Sequence, residues 1–558
     1  MSDSDETRAG SDRIVEKASS EDYTLKKRPW RLKVTPWNDI LNQQYEGEGT
    51  EDKPYVVDWF PGDQENPMTW QPVYKWTVTM SVAVTTLAVA FASSCLSGAT
   101  ASIEEDFGVY PAQVYVMVTS AFVLGFVVGP LLWAPMSEVL GRRKMFIGTY
   151  ILFTAFNGGL IASQNVWTLI VLRFFAGTAG SSPLTNAGGT VSDVFDARQR
   201  GLGMAIFASA PFLGPALGPI IGGFLGETGG WRWVAGLIAM FTGVLTIFGF
   251  IIIPETYAPV LLRARAATLS KATGKVYRSK QEKDKKVILG QLFKTALGRP
   301  WIFLFKEPIV FLLSLYLAIV YATLYQLRGW SPGIAGLAFL GVLVGFILAI
   351  LHTIFIENPR YDKRLQAEGG WLPPEQRLHP AMIGGFLLPI VSIARGDNTN
   401  RQGLFAFAWT AAPARIHWIA PIICSVPFGM GMVMVFLSVF NYLIDSYLLY
   451  AASVLAANSI LRSLFGVGFP LFVTPMFGNL GINWASTLVA FLALACSPMP
   501  IVFYIWGRRV RRKTQFGRSA DDMGQMMRKM AISKKNEASG GGSGEAATES
   551  SGRHEEEA

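Results

Sequence analysis

Apolar residues come in long runs separated by short polar breaks, and the runs share a length. "WTVTMSVAVTTLAVAFASSCLSGA" (76–99) is typical. A helix rises about 1.5 Å per residue, so roughly 20 such residues cross a hydrocarbon layer about 30 Å thick. Twelve runs fit that length: 76–99, 113–136, 145–163, 166–190, 203–226, 233–253, 308–327, 334–356, 379–409, 416–441, 447–474 and 484–506. The pattern predicts an all-α polytopic membrane protein whose twelve transmembrane helices form two six-helix bundles. Five regions follow: a disordered tail over 1–75, a bundle over 76–253, a central linker over 254–307, a second bundle over 308–506, and a tail over 507–558.

Composition agrees with this reading. The 558 residues are 51% hydrophobic and only 16% charged, against about a quarter charged in soluble domains. Mean hydropathy is +0.32. The net charge of +9 is not spread evenly. It gathers in "GRRK" (141–144), "DARQRG" (196–201), 254–306 and "NPRYDKRLQ" (358–366), all on one side of the spans. The other side carries the acidic "SIEEDFG" (102–108) and a few arginines. Lys and Arg beside spans mark the cytosolic side, so both termini are expected there. The same placement argues against a nucleic-acid partner. Cys95, Cys424 and Cys496 all fall in apolar runs, which predicts neither a disulfide framework nor a metal site.

Three features inside or beside the spans carry chemistry. "APMSEVLGRRK" (Ala134–Lys144) puts Glu138, Gly141, Arg142 and Arg143 in the turn between spans 2 and 3. Gly141 permits a tight turn, and Glu138 and Arg142 can pair where water is scarce. "LRFFAGTAGSS" (172–182) sets Arg173 within span 4, four residues before Gly177. An arginine there costs about 2.5–3.5 kcal/mol on insertion scales, so it should face the bundle interior with a partner. "GPALGPIIGG" (Gly214–Gly223) repeats small residues every four positions, which lets helices approach closely. Pro215 and Pro219 weaken the same helix.

Together these elements resemble the major facilitator superfamily. "APMSEVLGRRK" is similar to its signature turn, with Ala134 in place of the usual glycine and Glu138 in place of the usual aspartate. The resemblance implies a charge latch that breaks and reforms as access alternates. Arg173 and Gly177 resemble the superfamily's Arg–x–x–x–Gly element, which in proton-coupled members is associated with proton transfer. Gly214, Gly218, Pro219 and Gly222 resemble the antiporter string found in exporters. "GDQENPMTW" (62–70), "PETYAPVLLRARA" (254–266) and "NYLIDSYLLYAASVLAAN" (441–458) resemble the fungal drug:proton antiporters with twelve spans, over residues 55–513. That family implies two helical bundles with a cavity near the membrane midplane.

In the second half, Arg462 lies near the middle of span 11 and Asn458 one turn before it on the same face. Asp445 stands between spans 10 and 11 and reads equally as a helix cap or a coupling residue. His352 in span 8 titrates near neutrality when unperturbed but reads as satisfied by helix neighbours. Tyr316, Tyr321 and Phe436 are aromatic candidates for the cavity wall. Two places depart from the pattern. Span 7 stops at Leu327 where family members continue for roughly a dozen residues. Span 9 is interrupted by "VSIARGDNTNRQ" (391–402), whose charges are costly in hydrocarbon. Both departures point to exon-boundary errors: a skipped piece at 327/328 and retained intron at 391–402. Transcript reads that cross both points in this order would contradict that explanation.

The resulting expectation is a proton-coupled exporter of drugs, polyamines or secondary metabolites, driven by the proton gradient with no cofactor. Its partners would be the bilayer, protons and a small molecule, with the chain acting as a monomer. The plasma membrane is the expected location, with the vacuolar membrane as alternative. A proton-coupled importer and a non-transporting sensor remain open. No helical His–Glu–x–x–His, Gly–x–Ser–x–Gly or phosphate-binding loop supports an enzyme or an ATP-driven pump.

Overall fold

The structure is a computed structural model. It describes residues 35–108, 110–196, 199–280, 337, 339–368, 372–388, 419–447, 451–513, 518, 522 and 526. Span 7 with Tyr316 and Tyr321, the 327/328 junction and the 391–402 insert lie outside the described residues.

The first six spans form helices with bounds close to those expected. They are α2 (Pro72–Cys95), α4 (Ala112–Leu140), α5 (Arg142–Ile161), α6 (Val166–Val194), α7 (Arg200–Gly229) and α8 (Trp231–Ile252). A short α1 (Trp37–Leu41) precedes them. A 3-10 turn (Leu96–Ala99) and α3 (Thr100–Phe107) extend α2. Then come α9 (Ala258–Thr273), α10 (Phe339–His352), α11 (Asn358–Ala367), α12 (His379–Leu387), α13 (Ile419–Ser446), α14 (Ala451–Cys496) and α15 (Met499–Lys513). Among the described residues, eight helical segments are long and apolar enough to cross a membrane. The 29-residue α6 is not one of the eight. Its Ser, Thr and Asn residues, with Arg173, lower its hydropathy, and most of them are buried against protein.

The chain divides into two compact units. One comprises Met1–Ser93, Leu124–Gly214 and Arg232–Gly298; the other comprises Ser94–Val123, Pro215–Trp231 and Arg299–Ala558.

The first unit corrects an expectation. Residues 35–75 are folded where the sequence reads as a disordered tail. Strand β1 (Tyr55–Val57) pairs in parallel with β2 (Tyr277–Ser279) from the central linker. Ile40 and Val57 bury with Leu262, Ala266 and Leu269 of α9, and Trp37, Tyr45, Trp59, Phe60 and Tyr277 pack around them. Arg265 donates to Asp63 at 2.6 and 3.1 Å and to Glu65 at 2.8 Å. Its guanidinium also lies 4.9 Å from the Trp59 ring and 5.7 Å from that of Phe60. Thr35 donates to the same Asp63 at 2.7 Å. A charged pair so well buried is tolerated only when most of its hydrogen bonds are made; Asp63 and Glu65 accept from both terminal guanidinium nitrogens, and Arg265 Nε has no partner among the described residues.

In the second unit, α10 and α13 cross at glycine. A Cβ on Gly345 would meet the Met430 amide at 2.7 Å, and one on Gly429 would meet the Val342 carbonyl at 2.5 Å. Helix α14 runs unbroken for 46 residues through the break expected at 475–483. It stops at Cys496, just before Pro498, because a residue preceding proline is pushed out of helical geometry. The run expected as one span over 484–506 is therefore shared between α14 and α15.

Candidate functional site

Gly141 links α4 to α5 with φ at 96°, a region that L side chains avoid. Glu255, 113 residues after Arg142 in the "PETYAP" stretch, places its carboxylate on the N-terminus of α5. It accepts from the amides of Arg142 at 2.9 Å and Arg143 at 3.2 Å. It also accepts from the amides of Thr256 and Tyr257 at 3.1 and 3.0 Å. A carboxylate there satisfies otherwise orphan donors and meets the positive end of the helix dipole. Burial nevertheless pushes the Glu255 carboxyl above its ordinary value, against the pull of those amides.

Arg142 then turns its side chain across α6. It pairs with Asp193 at 3.4 Å, donates to Ser137 at 2.8 Å and lies 4.9 Å from the Tyr257 ring. Gly189 makes room, since a Cβ there would sit 2.7 Å from the guanidinium. Arg143 donates to the Phe250 carbonyl at 3.0 Å. Glu138 stands at the end of α4, near enough to Tyr257 for its charge to act there. Asp193 and Glu255 were missed by sequence reasoning. Their partners lie 51 and 113 residues away, and only the "PETY" string gave a signal.

Gly141→Ala tests this corner. The substitution forces a left-handed residue and drives its Cβ into the Glu255 carboxylate. We expect about 1–3 kcal/mol of destabilisation, read as a lower melting temperature of the purified protein.

Arg173 is fully buried. It donates to the carbonyls of Ala92 at 2.8 Å and Ser93 at 3.0 Å, at the end of α2. Gly177 is buried one turn later on α6, where α4 approaches closely at Gly125 and Gly129.

On α7, Gly214, Gly218 and Gly222 form a buried stripe with Pro219. A Cβ on Gly214 would meet the Phe91 amide of α2 at 2.5 Å, and one on Gly222 would fall on the Cys95 carbonyl group. Pro219 has no N–H, so the Pro215 carbonyl lacks its helical donor. Ser94 Oγ supplies one at 3.4 Å. The stripe therefore sets both the closeness of α7 to α2 and the local satisfaction of a broken ladder. Because the clash at Gly222 is with backbone, Gly222→Val cannot be relieved by a rotamer change. We expect at least 1–3 kcal/mol of destabilisation, with Gly222→Ala milder. Melting curves of the two variants, ranked in that order, check it.

In the second unit, Asp445 accepts from Arg377 at 3.0 Å, whose guanidinium lies 3.5 Å from the Tyr361 ring. Arg511 of α15 pairs with Glu375 at 2.7 Å and donates to Tyr442 at 3.0 Å. On α14, Arg462 lies 5.3 Å from the Phe436 ring. Asn458, one turn earlier, is 2% exposed, and among the described residues neither amide atom has a hydrogen-bond partner. No described cluster of three or more His, Cys, Asp or Glu could hold a metal ion.

The family description of the Major Facilitator Superfamily matches residues 82–470. The chain is 56% identical over 500 residues to the MFS-type efflux pump MFS2 of Trichophyton rubrum, covering 88% of this chain and 81% of that one. It is 52% identical over 517 residues to the multidrug transporter mdrA of Aspergillus fumigatus, covering 90% and 82%. Among solved structures it is similar in fold to the proton:xylose symporter XylE bound to 6-bromo-6-deoxy-D-glucose. The TM-score is 0.55 at 13% identity, over 78% of this chain and 96% of that one.

Proposed function

This chain belongs to the major facilitator superfamily, and from that premise we propose that it exports small organic compounds in exchange for protons. It is a multi-pass membrane transporter of a family whose fold has twelve membrane-spanning helices. The observation that carries the direction of transport is the seating of the Gly214–Gly218–Pro219–Gly222 stripe on α2. That string resembles the exporter motif, and relatives more than half identical to this chain are named as an efflux pump and a multidrug transporter.

In this reading the bundles are 76–253 and 308–506, both termini are cytosolic, and the plasma membrane holds a monomer. The proton gradient drives transport with no cofactor, and the protein is not an enzyme. Arg142, Glu138 and Asp193 form the latch on the basic side. Arg173 serves coupling through the backbone it holds, since arginine does not deprotonate in proteins. Asn458 and Arg462 contribute to cargo binding, and Asp445 with Arg377 steadies the second half.

The test is efflux from yeast that lack their own pumps. Cells expressing the chain are loaded with a panel of fluorescent drugs and labelled spermidine. Faster loss that a protonophore abolishes is the expected result. Net uptake would favour an importer, and binding without flux would favour a sensor.

A further inference from the structure

Helix α15 has two faces, and the inner one is fixed. Gly507 is buried so closely that a Cβ there would come within 2.8 Å of the Tyr442 hydroxyl and 3.2 Å of Glu375. One turn later Arg511, 3% exposed, pairs with Glu375 at 2.7 Å. With 3.6 residues per turn, these two contacts set which residues face away.

The outward stripe begins apolar. Val502, Ile505 and Trp506 are all exposed, Ile505 at 61% and Trp506 at 46%. It continues as Arg508, Arg509, Arg512 and Lys513, all exposed. The change from hydrocarbon-compatible side chains, through a tryptophan, to the first of four cations takes less than two turns. That order matches a helix leaving the acyl region, crossing the interface where tryptophan concentrates, and entering the headgroup layer. Clusters of four to eight Lys or Arg immediately beside a span attract anionic lipid headgroups.

We propose that the outward face of α15, through Arg508, Arg509, Arg512 and Lys513, binds the headgroups of anionic phospholipids. The fifth cation of the run, Arg511, takes no part because Glu375 and Tyr442 hold it inward. The headgroup layer thus tethers the helix from outside at the level where Glu375 holds it from inside. The proposal is independent of cargo and of the direction of transport.

The full chain, purified in a neutral detergent, is mixed with dioctanoyl phosphatidylserine or dioctanoyl phosphatidylcholine, and retained lipid is counted by native mass spectrometry. We expect the wild type to retain phosphatidylserine about tenfold more strongly than phosphatidylcholine, and the preference to fall as salt rises. The variant R508Q/R509Q/R512Q/K513Q should lose that preference while keeping the Arg511–Glu375 pair. R508K/R509K/R512K should keep it. Equal phosphatidylserine retention by the wild type and the glutamine variant would overturn the proposal, as would loss of retention in the charge-conserving variant. Should the glutamine variant fail to fold, the pair R509Q/K513Q gives the same reading, with a preference between wild type and none expected and an unchanged preference contradicting it.

Discussion

Replacing Arg173 with methionine is expected to destabilise the protein by about 3 kcal/mol, because hydrogen bonds from charged groups contribute about 1.5–3 kcal/mol each. Efflux should fall at least tenfold. The side chain is fully buried and donates to the Ala92 and Ser93 carbonyls. Those carbonyls lie where α2 tightens into the 3-10 turn at Leu96–Ala99. A 3-10 turn bonds three residues back instead of four, so the change of register releases a carbonyl of the preceding helix. Arg173 reaches over from α6 to hold that break. Methionine keeps most of the volume and loses the donors, so packing alone cannot account for the effect. Arg173→Lys keeps the charge without the fork and should fall between the two. Melting of the purified protein, followed by intrinsic fluorescence, reads the stability. A methionine variant as stable as the wild type would show that the two carbonyls do not need the guanidinium.

The second large effect is expected far from the spans. Asp63→Ala leaves Arg265 buried, 4% exposed, with Glu65 as its remaining acid among the described residues. Removing one partner of a buried pair costs about 3–5 kcal/mol, because a buried charge is left uncompensated. Thr35 and the Glu65 amide lose their acceptor with it. The folded 35–75 segment should therefore loosen from α9 and β2, and trypsin should cut after Arg278, whose strand pairs with β1, faster than in the wild type. Combining Asp63→Leu with Arg265→Met removes both charges and should recover most of the loss, since apolar replacements of a buried pair are often neutral. A double variant as sensitive to trypsin as Asp63→Ala would mean that the pair's charge was not the cause.

The sequence displayed the spans of the first half well. Runs of about 20 apolar residues have few alternatives to a membrane helix, and α2, α4, α5, α6, α7 and α8 fall within a few residues of the expected bounds. Gly141 was legible because a glycine between an apolar run and three basic residues signals a turn. Arg173 was legible because an arginine inside a span demands a partner, although two of the groups it bonds are backbone carbonyls, which no side-chain pattern announces. The folded 35–75 segment was not legible. Its aromatic residues follow no helical or strand period, and the helix that buries them lies about 200 residues later in a stretch that reads as polar linker. The Glu255 cap on α5 was hidden for the same reason. Which donors a carboxylate meets depends on which distant segments come together, and local composition does not record that. The unbroken α14 shows a third cause. Pro475, Gly478 and Gly481 suggest a turn by their residue types, but residue type alone is a weak guide to where a helix ends.

Transport in purified form tests the central claim most directly. The full chain is reconstituted into liposomes with an acidic lumen, and the compound identified in the cell panel is added outside, with empty liposomes as the baseline. Proton–cargo exchange predicts that cargo accumulates inside as protons leave, that the lumen becomes less acidic faster when cargo is present, and that a protonophore abolishes both. Accumulation that ignores the pH gradient, or that needs protons to move in the same direction as the cargo, would contradict the account.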